Sequence, residues 1–287
     1  MKYIFLNLKR FDILPDSGGV NSLASPSDWG RFIVSTMERE LSGRADLTDS
    51  YAFPIFFPEA HIITAVQAKD PAATPSVDIG CQGVHHADTA KGGAFGAFTS
   101  LRTANSMRQL GCSWVIIGHS EERRYMTGLM SLAGADAEKA FLAVQDLLHK
   151  EIACALASGL RVLYCIGEDA GQTGQREAVL RSQLNLGLDG LDTSRIVLAY
   201  EPIWAIGPGR VPPTSGQIAQ TAALVKSLSS CPLVYGGGLK KENAEAIGRI
   251  PDLDGGLIAL TRFHGEIGFH PSEYREIVDL FTKGAIA

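Results

Sequence analysis

Three observations predict an α/β fold, a closed barrel of eight parallel strands. Eight short runs rich in β-branched, aromatic or aliphatic residues recur along the 287 residues. Longer stretches with helical apolar spacing separate most of them, the alternation that builds parallel βαβ units. Several of the runs are apolar throughout rather than at every second position, which is how strands covered on both faces read. An open doubly wound sheet is the alternative, and the count of eight favours closure. No linker and no shift in composition divides the chain, so residues 1–287 read as one domain.

The strands are expected in order at residues 3–7, 52–57 (with Pro54 an irregular spot), 76–81, 114–118, 161–167, 195–200, 232–236 and 256–260. A first helix is expected from Ser25 as N-cap, with Pro26 at the first helical position and Asp28 in the first turn. Phe32, Ile33, Thr36, Met37 and Leu41 form its apolar stripe. Residues 138–156 repeat the helical spacing through Phe141, Val144, Leu147, Leu148 and Ile152, and Ser158-Gly159 stops them. Further helices are expected at 176–184, 215–228, 242–247 and 271–281. The segments 11–24, 84–95 and 126–136, rich in Gly, Ser, Ala and Asp, are expected as long loops.

Composition excludes several classes. An apolar fraction of 45% with 20% charged residues is too hydrophobic for a disordered chain. No run of about 18 apolar residues suggests a membrane span, and the apolar stretch before Asn7 is too short for a secretory signal. A net charge of -5 with no basic block argues against nucleic acid as the partner. The five cysteines form no C-x-x-C, which fits reduced, mostly buried thiols in a cytoplasmic protein.

The residues that can do chemistry follow the predicted strands. Asn7 and Lys9 follow the first, His119-Ser120-Glu121 the fourth, Glu201-Pro202 the sixth and Gly236-Gly237-Gly238 the seventh. In a barrel these C-terminal ends meet on one face. A carboxylate base, an imidazole that polarises oxygen and an ammonium that steadies negative charge together suit proton transfer beside a carbonyl. Glycine-rich turns offer backbone N–H groups to a phosphate. Singly, Lys9 reads as a solvated lysine, His119 as a structural hydrogen-bonder, Glu201 as a strand-end acid and the glycines as a turn. Their coincidence at matching strand ends carries the functional reading. His85-His86 near Asp88 makes a poor metal pattern, because adjacent histidines diverge and no third ligand is placed; no metal is expected.

These segments resemble triosephosphate isomerases. Trp114 through Glu121 (WVIIGHSE) is similar to that family's fourth-strand motif, and Ala199 through Arg210 (AYEPIWAIGPGR) to its catalytic strand and lid. Val162 through Glu168 resembles the fifth strand, and Gly96-Ala97-Phe98-Thr99 the interdigitating dimer loop. Tyr235-Gly236-Gly237 and Asp254-Gly255 match the last two phosphate loops in part. The resemblance runs from Tyr3 to Phe281. It implies a single (β/α)8 TIM barrel, usually a homodimer, that needs no cofactor and isomerises a small phosphorylated sugar in glycolysis and gluconeogenesis. By the same resemblance Glu201 is the base, His119 the neutral imidazole, Lys9 the electrostatic lysine with Asn7 beside it, and Glu121 a carboxylate near that lysine. Residues 203–210 are the lid. Gly207, Gly238, Ala259 and Leu260 stand at the phosphate-binding positions.

The departures from the family pattern matter as much. Leu8 replaces the usual aromatic. Pro208 and Pro212 stand in and beside the lid, where a fixed φ stiffens motion. Gly238 replaces a serine. Ala259 and Leu260 replace paired glycines, so two side chains crowd the place where a phosphate approaches closely. Arg262, where a small residue is usual, either meets the phosphate or is a surface arginine. Glu122 and Leu101 occupy the positions of an arginine and an acid that commonly pair, and an inserted residue would restore an arginine as Arg123. The segments 11–24 and 125–136 read as insertions. The expected activity is interconversion of dihydroxyacetone phosphate and glyceraldehyde 3-phosphate. The alternatives are an isomerase of a longer ketose phosphate, such as a tetrulose phosphate, and a silent sugar-phosphate-binding protein.

Overall fold

The computed structural model describes residues 1–205 and 210–286. Strands β1 (Lys2–Asn7), β2 (Tyr51–Phe57), β3 (Val77–Cys81), β4 (Trp114–Ile117), β5 (Arg161–Ile166), β6 (Ile196–Tyr200), β7 (Leu233–Tyr235) and β8 (Gly255–Ile258) pair in that order, and β8 returns to β1 to close the ring. Every pairing is parallel. The helices are α1 (Trp29–Leu41), α2 (Glu59–Ala68), α3 (Ala104–Gln109), α4 (Ser120–Leu132), α5 (Ala137–Ala157), α6 (Arg176–Leu188), α7 (Ser215–Leu228), α8 (Ala244–Gly248) and α9 (Pro271–Ile286). None of the described helices is long and apolar enough to cross a membrane.

Strand periodicity divides the apolar side chains into two sets. Tyr3, Phe5, Phe56, Trp114, Leu163, Val197 and Leu257 belong to one buried cluster, which fills the ring. Their neighbours Ile4, Leu6, Ile55, Val115, Val162 and Leu198 belong to the larger cluster between strands and helices. Phe5 stacks on Phe56 at 5.8 Å and meets Trp114 edge-on at 5.1 Å. Burying each such side chain contributes roughly 1.5–3 kcal/mol. The bulk of these rings requires space elsewhere: a Cβ at Gly80 would stand 2.6 Å from the Phe56 ring.

Several boundaries differ from the sequence-based expectation, among them the ends of α6 and α9, which run on to Leu188 and Ile286. Residues 25–28 form a turn closed by the Asp28 N–H donating to the Ser25 carbonyl at 3.0 Å, so α1 opens at Trp29 and Pro26 precedes it. Much of the expected loop at 126–136 is helix, because α4 runs unbroken to Leu132. Its apolar residues Tyr125, Leu129 and Leu132 are 67%, 46% and 88% exposed, so the stripe that betrays a helix faces away from the core. β8 ends at Ile258, which leaves Ala259 and Leu260 just beyond the strand. α2 and α3 were not foreseen. α2 follows Pro58 and buries His61, Ile62 and Ala65, while α3 is capped by Thr103, whose hydroxyl accepts the Ser106 N–H.

Candidate active site

The site is assembled at the C-terminal mouth of the barrel. Lys9, two residues past β1, has φ 42°, a left-handed conformation uncommon outside glycine. Two polar side chains hold that turn. The Lys9 N–H donates to Asn7 Oδ1 at 3.0 Å, and Gln82 Nε2 donates to the Lys9 carbonyl at 3.0 Å and to Asn7 Oδ1 at 3.3 Å. The Lys9 ammonium thereby reaches Glu121, Nζ to Oε1 2.7 Å. Burial acts to raise the Glu121 carboxyl, but the hydrogen bond and charge of Lys9 outweigh it and hold the group below its ordinary value.

His119 stands at the N-cap of α4. Its Nδ1 accepts the Glu121 N–H at 3.3 Å. An accepting Nδ1 bears no proton, so the ring hydrogen sits on Nε2, which faces Glu201 Oε1 at 3.1 Å. The peptide before His119 is clamped on both sides. The Gly118 N–H donates to Glu122 at 2.5 Å, and Arg123 Nε donates to the Gly118 carbonyl at 2.7 Å. Arg123 also donates to the Cys165 carbonyl at 2.8 Å, tying the end of β4 to β5. Burial pushes the Glu122 carboxyl up to about 7. Gly118 has φ 77°, and a Cβ there would stand 2.9 Å from the Cys165 carbonyl oxygen, so glycine is required. Arg123 is thus an inward-facing brace. The charges of Arg123 and Arg102 oppose that rise in Glu122, and a Cβ on Gly83 would lie 3.3 Å from Glu122 Oε1 and 3.5 Å from the Arg102 guanidinium.

Glu201, immediately past β6, is 2% exposed. Its Oε2 accepts the Ser120 N–H at 3.0 Å, a donor at the positive end of α4. Beneath it lies Glu168, fully buried at the end of β5. Glu168 Oε1 accepts from Arg176 Nε at 2.8 Å, Trp204 Nε1 at 3.0 Å and the Tyr200 hydroxyl at 3.1 Å. Its carbonyl accepts the Ile203 N–H at 3.1 Å. This acid fastens the segment that leaves Glu201. Sequence reasoning quoted Glu168 within the fifth-strand match but assigned it no task; an acid ending an apolar strand, eight residues before an arginine, was the available signal.

A cavity of about 790 Å³ joins these groups. Asn7, Lys9, His119, Glu121, Glu201, Gly238, Ala259 and Leu260 all line it. Of the expected site residues, only Gly207 lies outside the described residues. Among the described residues, the N–H groups of Gly237, Gly238, Ala259 and Leu260 have no protein acceptor. The chain then doubles back: Arg262 bridges antiparallel to Gly268. Arg262 itself turns away from Glu201. Its Nε and a terminal nitrogen donate to Glu273 Oε1 at 3.0 and 2.7 Å, and the guanidinium also meets Glu266.

Fold and mouth together define a (β/α)8-barrel protein whose strand-end face gathers a carboxylate, an imidazole and an ammonium around one cavity. Residues 38–266 match the family model described as Triosephosphate isomerase. The chain belongs to the triosephosphate isomerase family, a family of isomerases. It is 32% identical over 241 residues to the triosephosphate isomerase of Francisella philomiragia, covering 79% of this chain and 83% of the relative. It is 36% identical over 176 residues to that of Pelodictyon phaeoclathratiforme, covering 57% and 64%. The crystal structure of triosephosphate isomerase from Bartonella henselae superimposes with a TM-score of 0.70 over 98% of this chain and 99% of that one, at 22% identity, a likeness of fold.

Proposed function

We propose that this protein is a cytoplasmic aldose–ketose isomerase that interconverts dihydroxyacetone phosphate and glyceraldehyde 3-phosphate through an enediolate. The observation that carries the reading is the meeting of Glu201, His119 and Lys9 around one cavity. Glu201, freed from the Ser120 amide, removes a proton from the carbon beside the carbonyl. The Nε2–H of His119 donates to the carbonyl oxygen as negative charge develops there, and Lys9 steadies that charge. Return of the carbon-bound proton to the neighbouring carbon, with the hydroxyl proton relayed through His119, completes the exchange with no net gain or loss of electrons. The amides at the ends of β7 and β8 that have no acceptor among the described residues suit a phosphate.

A second reading has its own support. Ala259 and Leu260 place side chains where a phosphate would approach, and the doubled-back segment after β8 remodels that wall. Displacing the phosphate outward leaves room for a longer ketose phosphate. Assay of the purified protein with both triose phosphates and with tetrulose phosphates tests both readings. Rapid turnover of glyceraldehyde 3-phosphate supports the first; kcat/KM at least tenfold higher for a tetrulose phosphate selects the second, and no turnover of either rejects both. The homodimer is part of the same proposal. Phe95 is 90% exposed on the loop between β3 and α3, and Leu101 is also exposed, as apolar residues awaiting a partner surface.

A further inference from the structure

We propose that Glu122 is the positioning residue for the His119 imidazole: its carboxylate holds the backbone that aims the ring into the cavity. The inference rests on the isomerase reading above and names a residue that acts through one lining that cavity. Glu122 is the third residue of α4, one turn past His119 at the N-cap. An acid at that position folds back to accept an N–H at the start of the helix, as in a capping box, and the positive helix end favours its charge. Here the N–H is that of Gly118, which donates to Glu122 Oε2 at 2.5 Å. The carbonyl of the same glycine accepts from Arg123 Nε at 2.7 Å. Both peptides flanking Gly118 are thus tied to α4. They hold the glycine at φ 77° and His119 at φ -54°, ψ 148°, a non-helical N-cap conformation. That conformation brings Nδ1 to 3.3 Å from the Glu121 amide, so the ring proton stays on Nε2, 3.1 Å from Glu201. Without an acceptor for the Gly118 N–H the turn loosens, and the imidazole loses both its tautomer and its aim.

The hold is firmest when Glu122 is ionised, because a charged acceptor makes a hydrogen bond roughly twice as strong as a neutral one. Four groups face that carboxyl: Arg102 from the loop before α3, Arg123 on α4, Glu151 on α5 and the Cys165 thiol on β5. Burial raises Glu122 to about 7, against the Gly118 hydrogen bond and the two arginine charges. Glu151 has one oxygen unpartnered and is raised further, by burial and then by the Glu122 charge. It keeps its proton through neutrality, so Glu122 is the acid of the pair that ionises there. Burial likewise keeps the Cys165 thiol protonated. Protonation of Glu122 weakens the grip on Gly118, so turnover should climb as pH rises through about 7.

The test uses the full chain with Glu122→Leu, which deletes the acceptor, and Glu122→Gln, which keeps an oxygen for the Gly118 N–H but does not titrate. Glu122→Leu should lower kcat and kcat/KM for glyceraldehyde 3-phosphate together, by about tenfold or more. Glu122→Gln should recover most of that loss. In the wild type kcat should rise about threefold through pH 7; in Glu122→Gln that step should vanish. Nitrogen NMR of ring-labelled histidine reads the geometry without turnover, with the His119 signals identified by their loss in His119→Gln. They should show a bare Nδ1 and a protonated Nε2 in the wild type and in Glu122→Gln, and mixed tautomers in Glu122→Leu. A pH step that persists in Glu122→Gln would overturn the assignment, as would unchanged His119 signals in Glu122→Leu. Should Glu122→Leu fail to fold, the pH profile of Glu122→Gln decides. Should the wild type fail to isomerise triose phosphates, the isomerase reading falls while the nitrogen signals still decide the role of Glu122.

Discussion

In the state described, Glu201 rests with one carboxylate oxygen on the Ser120 amide and the other 3.1 Å from His119 Nε2. Glutamine keeps an oxygen for the Ser120 N–H but cannot take a proton from carbon. Glu201→Gln should therefore fold normally and lose on the order of 10²–10⁴ in kcat, as measured in a coupled assay beside a circular dichroism melt. Turnover close to wild type would end the assignment of Glu201 as the base. Lys9→Met should lower kcat/KM severely, because it removes the ammonium from the cavity that holds Glu201. An unchanged kcat/KM would make Lys9 a bystander. These residues were legible in the sequence because each follows a strand by one or two positions, so their convergence follows from barrel topology alone. Arg262 was not legible in the same way. Its partner Glu273 lies eleven residues on, in α9, and only the fold turns that side chain toward the helix and away from the mouth. The left-handed turn at Lys9 was equally hidden, since it depends on Gln82 reaching across from the end of β3.

At the scale of elements, the segment leaving β6 hangs from Glu168. Trp204→Phe keeps an aromatic side chain, though a smaller one, and deletes one of three donors to a fully buried carboxylate oxygen. A hydrogen bond to a charged group is worth about 1.5–3 kcal/mol, so the variant should lose stability of that order in urea unfolding. It should also lose kcat/KM, because the chain that follows Glu201 is less firmly placed. Stability and kcat/KM both equal to wild type would show that Glu168 needs only Arg176 and Tyr200. Seven of the eight strands were legible to within one residue at each end because their β-branched, aromatic and aliphatic residues are concentrated in short runs. The eighth was read two residues too long, since Ala259 and Leu260 continue the apolar run after pairing has stopped. α4 was obscured because helix recognition assumes that an apolar stripe faces inward, and the stripe of Tyr125, Leu129 and Leu132 faces outward.

At the scale of the molecule, two predictions concern assembly and pH. The exposed Phe95 and Leu101 should be covered by a second copy, and light scattering at micromolar concentration should give twice the chain mass. A stable monomer would refute this. Glu151 on α5 is buried with one carboxylate oxygen unpartnered. Burial, then the neighbouring Glu122 charge, pushes its carboxyl up to about 9, while Glu122 itself is raised to about 7. Both groups hold protons more tightly folded than unfolded. Their contribution to stability is therefore complete below the ordinary carboxylate range and is lost as pH rises through 7 and 9. Melting temperature should fall between pH 6 and 9.5, and Glu151→Gln should flatten that fall; parallel curves for the two proteins would contradict it. The placement of the tryptophans has one more consequence. The chain has three, and Trp29 and Trp114 are sealed in the core. Trp204 alone is partly open, with its indole N–H on Glu168 at the foot of the segment beside the cavity. Emission from this protein thus contains two constant sources and one responsive one, so a fluorescence titration with a sugar phosphate reads occupancy of the mouth without any added label.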